Sequence, residues 1–196
     1  MTEVMVLHAA LPREGGAARS AALLERLPYA RRLELERRDP AGRCASLAAL
    51  ELALSGAARL LGRAIAPAQL RFPEGGKPYL EGGPSFSLSH TPTRVAVALC
   101  DDGDVGVDIE DALPTVAAGR SREELQRWTA TEAALKAVGA GLRSAARVRL
   151  AADLASAEFE DMRIHVTPLD LGPGWVASLA TLRPPVSVIV EEVRRE

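Results

Sequence analysis

The chain has 196 residues, 47% hydrophobic and 26% charged, with a formal net charge of -2. That is enough apolar sequence for one ordinary domain or two small fused halves, and it excludes a disordered chain or one coated with nucleic acid. An anionic partner must therefore be met by a local basic patch. With aromatics at only 4%, the core must be built mainly from Ala, Leu and Val.

Residues 3 to 11 read as an opening strand. The stretch Met1 to Leu7 lacks the charged-then-apolar pattern of a signal peptide, Cys44 and Cys100 show no CxxC spacing, and no apolar run approaches the ~20 residues of a membrane span. The expectation is a soluble cytoplasmic protein with neither a nucleic-acid nor a membrane partner. Gly15-Gly16 interrupts before a mixed Ala/Leu/Arg helical segment. Asp39-Pro40 then supplies an N-cap with proline at the first helical position. Leu47, Leu50, Leu54, Ala57, Ala58 and Leu61 mark one face of a long helix ending at Gly62. Residues 67 to 84 are Gly- and Pro-rich loop, with one short extended piece around Leu70-Arg71-Phe72.

The period then changes to two. Phe86, Leu88 and His90 alternate with Ser87 and Ser89, and a second strand runs from Arg94 to Cys100. Asp101-Asp102-Gly103-Asp104 reads as a hairpin turn returning into Val105 to Glu110. A helix begins at Ser121, where Ser121 and Glu124 have capping-box spacing, and closes at Gly139-Ala140-Gly141. Strands are predicted near Val148-Leu150, Arg163-Thr167, Trp175-Thr181 and Val186-Val193. The order predicts an α+β protein of two similar halves, 1–102 and 103–196.

Only two of the 24 basic residues are lysines, Lys77 and Lys136. An ammonium is a compact point charge where a guanidinium is a planar fork, so a phosphate oxygen or a leaving group can demand Lys; codon drift is the plain alternative. Asp108 and Glu110, two apart in a strand, share a face, where they are either a solvated acidic edge or a site for a hard cation such as Mg2+. Glu132 and Lys136, four apart, share a helix face. Three readings stay open for them: a surface ion pair, Glu132 completing a Thr129-to-Glu132 capping box, or a third metal carboxylate with a phosphate-neutralising lysine. Ser89-His90 at a strand end can meet a phosphate or serve the structure. Arg19, Arg26, Arg31, Arg32, Arg37, Arg38 and Arg43 are the one concentrated basic run.

In this order, Gly76-Lys77-Pro78, Phe86-Ser87-Leu88-Ser89-His90, Gly106-Val107-Asp108-Ile109-Glu110 and Trp128-Thr129-x-x-Glu132-Ala133-x-x-Lys136-x-x-Gly139-x-Gly141 resemble the 4'-phosphopantetheinyl transferases of the surfactin-synthetase-activating type. The resemblance spans about residues 26 to 142. It implies two pseudo-symmetric α+β halves with coenzyme A and Mg2+ between them and an apo acyl, peptidyl or aryl carrier protein docking across the cleft. Two fused halves complete one cleft within a chain, which favours a monomer. Asp108, Glu110 and Glu132 are implied as metal carboxylates. The resemblance also implies that Glu132, directly or through water, takes the serine proton and that Lys136 steadies the pyrophosphate and assists departure of 3',5'-ADP. Lys77, Ser89, His90, Arg43 and Arg26 are implied as coenzyme A contacts. Thr131 stands where the family usually has lysine, so one phosphate or structural contact is either missing or supplied by another residue such as Arg127. The competing expectation is a non-catalytic coenzyme A or carrier-protein binding module of the same fold.

Overall fold

The computed structural model describes residues 3–11, 17–74, 76–113 and 119–194; Gly15-Gly16, Gly75 and the Arg19 side chain lie outside what is described. Strand β1 spans Glu3–Ala10, and helices α1 (Ala17–Arg26), α2 (Tyr29–Glu36) and α3 (Pro40–Leu61) follow. The start of α3 is set by Asp39, whose side chain accepts the Gly42 N–H at 2.9 Å, with Pro40 at the first position. Its end is set by Gly62 at φ 63°, a left-handed conformation that glycine adopts without a Cβ penalty. The buried face is wider than the leucine spacing predicts, because Leu52, Ala53 and Gly56 are buried too.

The expectation that no segment approaches a membrane span needs correction. Helix α3, at 22 residues, is long and apolar enough to cross one by length and composition, yet 56% of its apolar window is buried inside the protein. It is apolar because it packs on a sheet.

Short strands β2 (Leu70–Arg71) and β3 (Tyr79–Leu80) pair across the Gly/Pro-rich loop. Strands β4 (Ser85–His90), β5 (Arg94–Cys100) and β6 (Val105–Asp111) follow, then helix α4 (Arg122–Ala137). The chain closes with β7 (Val148–Leu150), β8 (Ser156–Phe159), β9 (Met162–Leu169), β10 (Trp175–Thr181) and β11 (Ser187–Glu192). Strand β8 was not anticipated; its Ser-Ala-Glu-Phe sequence has weak strand preference and is held by pairing on both sides.

The result is α+β. One sheet has the order β11-β1-β5-β4 and the other β6-β10-β9-β8-β7. The predicted hairpin at Asp101–Asp104 is corrected by this order: β5 pairs with β1 and β4, while β6 pairs with β10, so the turn carries the chain from one sheet to the other. The predicted division near residue 103 falls at that crossing. The C-terminal strand nevertheless returns, and β11 pairs in parallel with β1.

Alternation along β5 builds the layers. Val95, Val97 and Leu99 pack towards α3, whereas Ala96, Ala98 and Cys100 pack with Val105, Val107, Ile109, Ala177 and Leu179 of the second sheet. Small residues on the inner face let the two sheets approach. The far side of the second sheet carries α4, through Ala130, Ala133, Ala134 and Ala137 against Ile164, Val166 and Ala180. Because Val105, Val107 and Ile109 face the first sheet, Gly106, Asp108 and Glu110 are left on the face towards α4.

Candidate metal centre at the strand β4, strand β6 and helix α4 junction

Strand β6 lies beside β4 without a backbone ladder between them, and side chains satisfy its polar edge instead. Ser87 Oγ accepts the Val107 N–H at 3.0 Å and Ser89 Oγ accepts the Ile109 N–H at 3.3 Å. The carbonyls of Val105 and Val107 accept from the two lysines, Lys77 Nζ at 2.7 Å and Lys136 Nζ at 3.2 Å. Buried backbone groups need such partners, and this requirement gives both rare lysines a structural reason to exist.

Helix α4 begins at Ser121, whose hydroxyl accepts the Glu124 N–H while the Glu124 carboxylate accepts the Ser121 N–H. The capping box therefore belongs to Ser121, and Thr129 lies well inside the helix, so Glu132 does not serve as a cap. Trp128, Glu132 and Lys136, spaced by four, form one row facing β6. Trp128 Nε1 donates to Glu110 Oε1 at 3.2 Å, and Lys136 Nζ donates to Asp108 Oδ1 at 2.6 Å. The Glu132–Lys136 pair is the longer one, at 3.8 Å. Lys136 is thus mainly the partner of Asp108.

This row brings Asp108, Glu110 and Glu132 together, with one carboxylate oxygen from each within 4.8 Å of the others. Asp108 is only 3% exposed. Its Oδ1 accepts from both Ser89 and Lys136, while its Oδ2 is buried with no hydrogen-bond partner. An unpartnered buried carboxylate oxygen is costly, and three clustered carboxylates with one lysine leave excess negative charge. Oxygen donors of this kind suit a hard divalent cation that keeps open positions for water or phosphate, so the residues present fit one. A cleft of about 250 Å³ opens over them, lined also by Ser89, His90 and Lys136.

The titration behaviour has the same origin. Burial first, then the Asp108 charge, pushes the Glu132 carboxyl up to about 7, with Lys136 opposing. Burial and Asp108 also raise Glu110, opposed by its hydrogen bond from Trp128. At the cleft's rim, desolvation and then the charges of Arg38 and Lys136 lower the His90 pKa.

A pH dependence follows. Between its ordinary value near 4.5 and about 7, Glu132 holds its proton better in the native chain than in the unfolded one. Metal-free stability should therefore fall as pH rises through that window, by a few kcal/mol at most, roughly. A bound cation replaces the proton and should flatten the slope. Thermal unfolding in chelator and in excess Mg2+ from pH 4.5 to 8 checks this; a slope identical in Glu132→Gln would contradict it.

The other implied contacts are more dispersed. Lys77 lies further along the β4–β6 seam, facing a separate cleft of about 260 Å³ with Tyr79, Ser85, Phe86 and Asp104. Its Nζ also reaches Ser85 Oγ at 3.3 Å and Asp104 Oδ1 at 3.6 Å, and burial lowers its pKa. Arg26 is exposed at the end of α1, and Arg43 is half-buried in the first turn of α3. Neither joins the carboxylates by a hydrogen bond or ion pair among the described residues. Thr131 turns its hydroxyl back to the Arg127 carbonyl at 2.8 Å, beside a groove shared by Arg120, Arg127 and Trp128.

Two cations were not singled out in advance. Arg38 bonds Ser46 Oγ at 2.9 Å and Glu34 at 3.2 Å, and its charge acts on His90. Arg120 stacks over Trp128 with its charge felt at Glu110. The basic run contained Arg38, but only the turn between α2 and α3 selects it; Arg120 carried no signal of its own. No protein-family model matches the chain, and comparison with curated proteins finds no match.

Proposed function

We propose that the chain is a Mg2+-dependent 4'-phosphopantetheinyl transferase, moving 4'-phosphopantetheine from coenzyme A to a serine of an apo acyl, peptidyl or aryl carrier protein. The observation that carries the reading is the Asp108, Glu110 and Glu132 cluster, with its orphaned Asp108 Oδ2 and Lys136 alongside. The motif order around those residues supports it. On this reading the two sheets, each with its long helix, are the pseudo-symmetric halves of that fold, and coenzyme A lies between them.

The chemistry is a phosphoryl transfer. The carrier's serine oxygen attacks the phosphorus attached to pantetheine, the bond from that phosphorus to the bridging oxygen breaks, and 3',5'-ADP leaves with the bond pair. Such reactions are mainly a problem of alignment and charge neutralisation. Mg2+ held by Asp108, Glu110 and Glu132 supplies neutralisation of the diphosphate. With the cation bound, its charge favours the Glu132 carboxylate, which on this reading takes the serine proton directly or through water. Lys136 places a positive charge beside the departing group, and His90 lines the cleft.

Incubating apo carriers of the three types with coenzyme A and Mg2+ and reading intact mass is the test. The expected result is one added pantetheinyl group on at least one carrier, abolished by chelator. No addition on any carrier, with coenzyme A still bound, would move the reading to the non-catalytic binding module.

A further inference from the structure

We infer that Ser89 is a positioning residue for the carboxylate centre: its hydroxyl, bridging β4 to β6, locks Asp108 so that Oδ2 faces the cation. The inference rests on the cation reading of that centre. Ser89 is 8% exposed and engaged on both sides. Its oxygen accepts the Ile109 N–H, and its one proton goes to Asp108 Oδ1 at 2.8 Å. A hydroxyl has a single proton to give, and here it goes to Asp108.

The consequence for Asp108 is asymmetry. Oδ1 accepts from Ser89 on one strand and from Lys136 on α4, which fixes the carboxylate plane from two elements. Oδ2 is left buried and without a partner. Outer-shell hydrogen bonds of this kind orient metal ligands, and losing one typically weakens metal binding by roughly ten- to a hundredfold.

Ser87 provides a built-in control. It stitches the same two strands, accepting the Val107 N–H at 3.0 Å, and it is 3% exposed. Among the described residues it has no bond to a carboxylate. Loss of either serine removes one partner from a β6 amide, but only loss of Ser89 frees Asp108.

The experiment measures Mn2+ affinity by electron paramagnetic resonance in the full chain, alongside melting temperature. Ser89→Ala is expected to weaken Mn2+ binding roughly ten- to a hundredfold. Ser87→Ala should lower the melting temperature while leaving Mn2+ affinity within about twofold of wild type, since its hydroxyl touches no candidate ligand. If Ser89→Ala does not fold, Ser89→Cys gives the same arm, because a thiol is a weak donor of similar size. Wild-type affinity in the Ser89 variants, or equal losses in the Ser87 and Ser89 variants, overturns the positioning role alone. A wild-type chain that binds no Mn2+ overturns both this role and the cation reading.

Discussion

Alanine at Gly106 is expected to destabilise the protein by about 3 kcal/mol or more and to abolish cation binding. A Cβ built there would lie 1.9 Å from the Ala133 carbonyl oxygen and 2.5 Å from the Ala137 amide nitrogen, both backbone atoms of α4. No side-chain rotation relieves that overlap. The helix would have to lift away from β6, carrying Glu132 and Lys136 from Asp108. Chemical denaturation measures the loss, with Gly141→Ala as the control, because a Cβ there meets nothing within 4 Å. A wild-type unfolding midpoint for Gly106→Ala would show that the helix does not need this approach.

The second large effect is chemical. Glu132→Gln should lower the rate of pantetheinyl transfer by ~10²- to 10⁴-fold, the usual contribution of a general base, while coenzyme A affinity changes only a few-fold. The amide keeps the size and one oxygen but cannot accept the serine proton. It also removes a carboxylate whose ionisation burial and Asp108 oppose, so the metal-free protein should gain stability above pH 7. Single-turnover kinetics with one carrier separates the two effects. Faster unfolding of the variant at pH 8 without metal would contradict the electrostatic account, and an unchanged transfer rate would remove Glu132 from catalysis.

The sequence was most informative where chemistry and periodicity coincide. Asp39-Pro40 and Gly62 bound α3, and the Ser121-to-Glu124 box starts α4, because caps act through bonds only a few residues long. The alternation of Val107 and Ile109 with Asp108 and Glu110 foretold which face carries the carboxylates. Which element that face meets was not written locally. Nothing in Asp101–Asp104 distinguishes a hairpin from a crossing between sheets, since both need a polar turn. Long-range pairing also hid the return of β11 to β1.

The same limit applies to the site. The four-residue spacing of Glu132 and Lys136 suggested a pair with each other, yet the shorter contact of Lys136 is to Asp108, 28 residues away. The family resemblance implies Lys77 and Ser89 as ligand contacts. The free edge of β6 attracts them equally, and that edge exists only once two sheets stand side by side. The serine alternation in β4 has the same source, since Ser87 and Ser89 are buried against β6 rather than exposed.

The most direct measurement of the central claim is release of 3',5'-ADP from coenzyme A in the presence of an apo carrier protein, with Mg2+ present or chelated. The account predicts one 3',5'-ADP per carrier serine modified, with release stopping when Mg2+ is removed. Coenzyme A left intact with every carrier type, or release that continues undiminished in chelator, would contradict it.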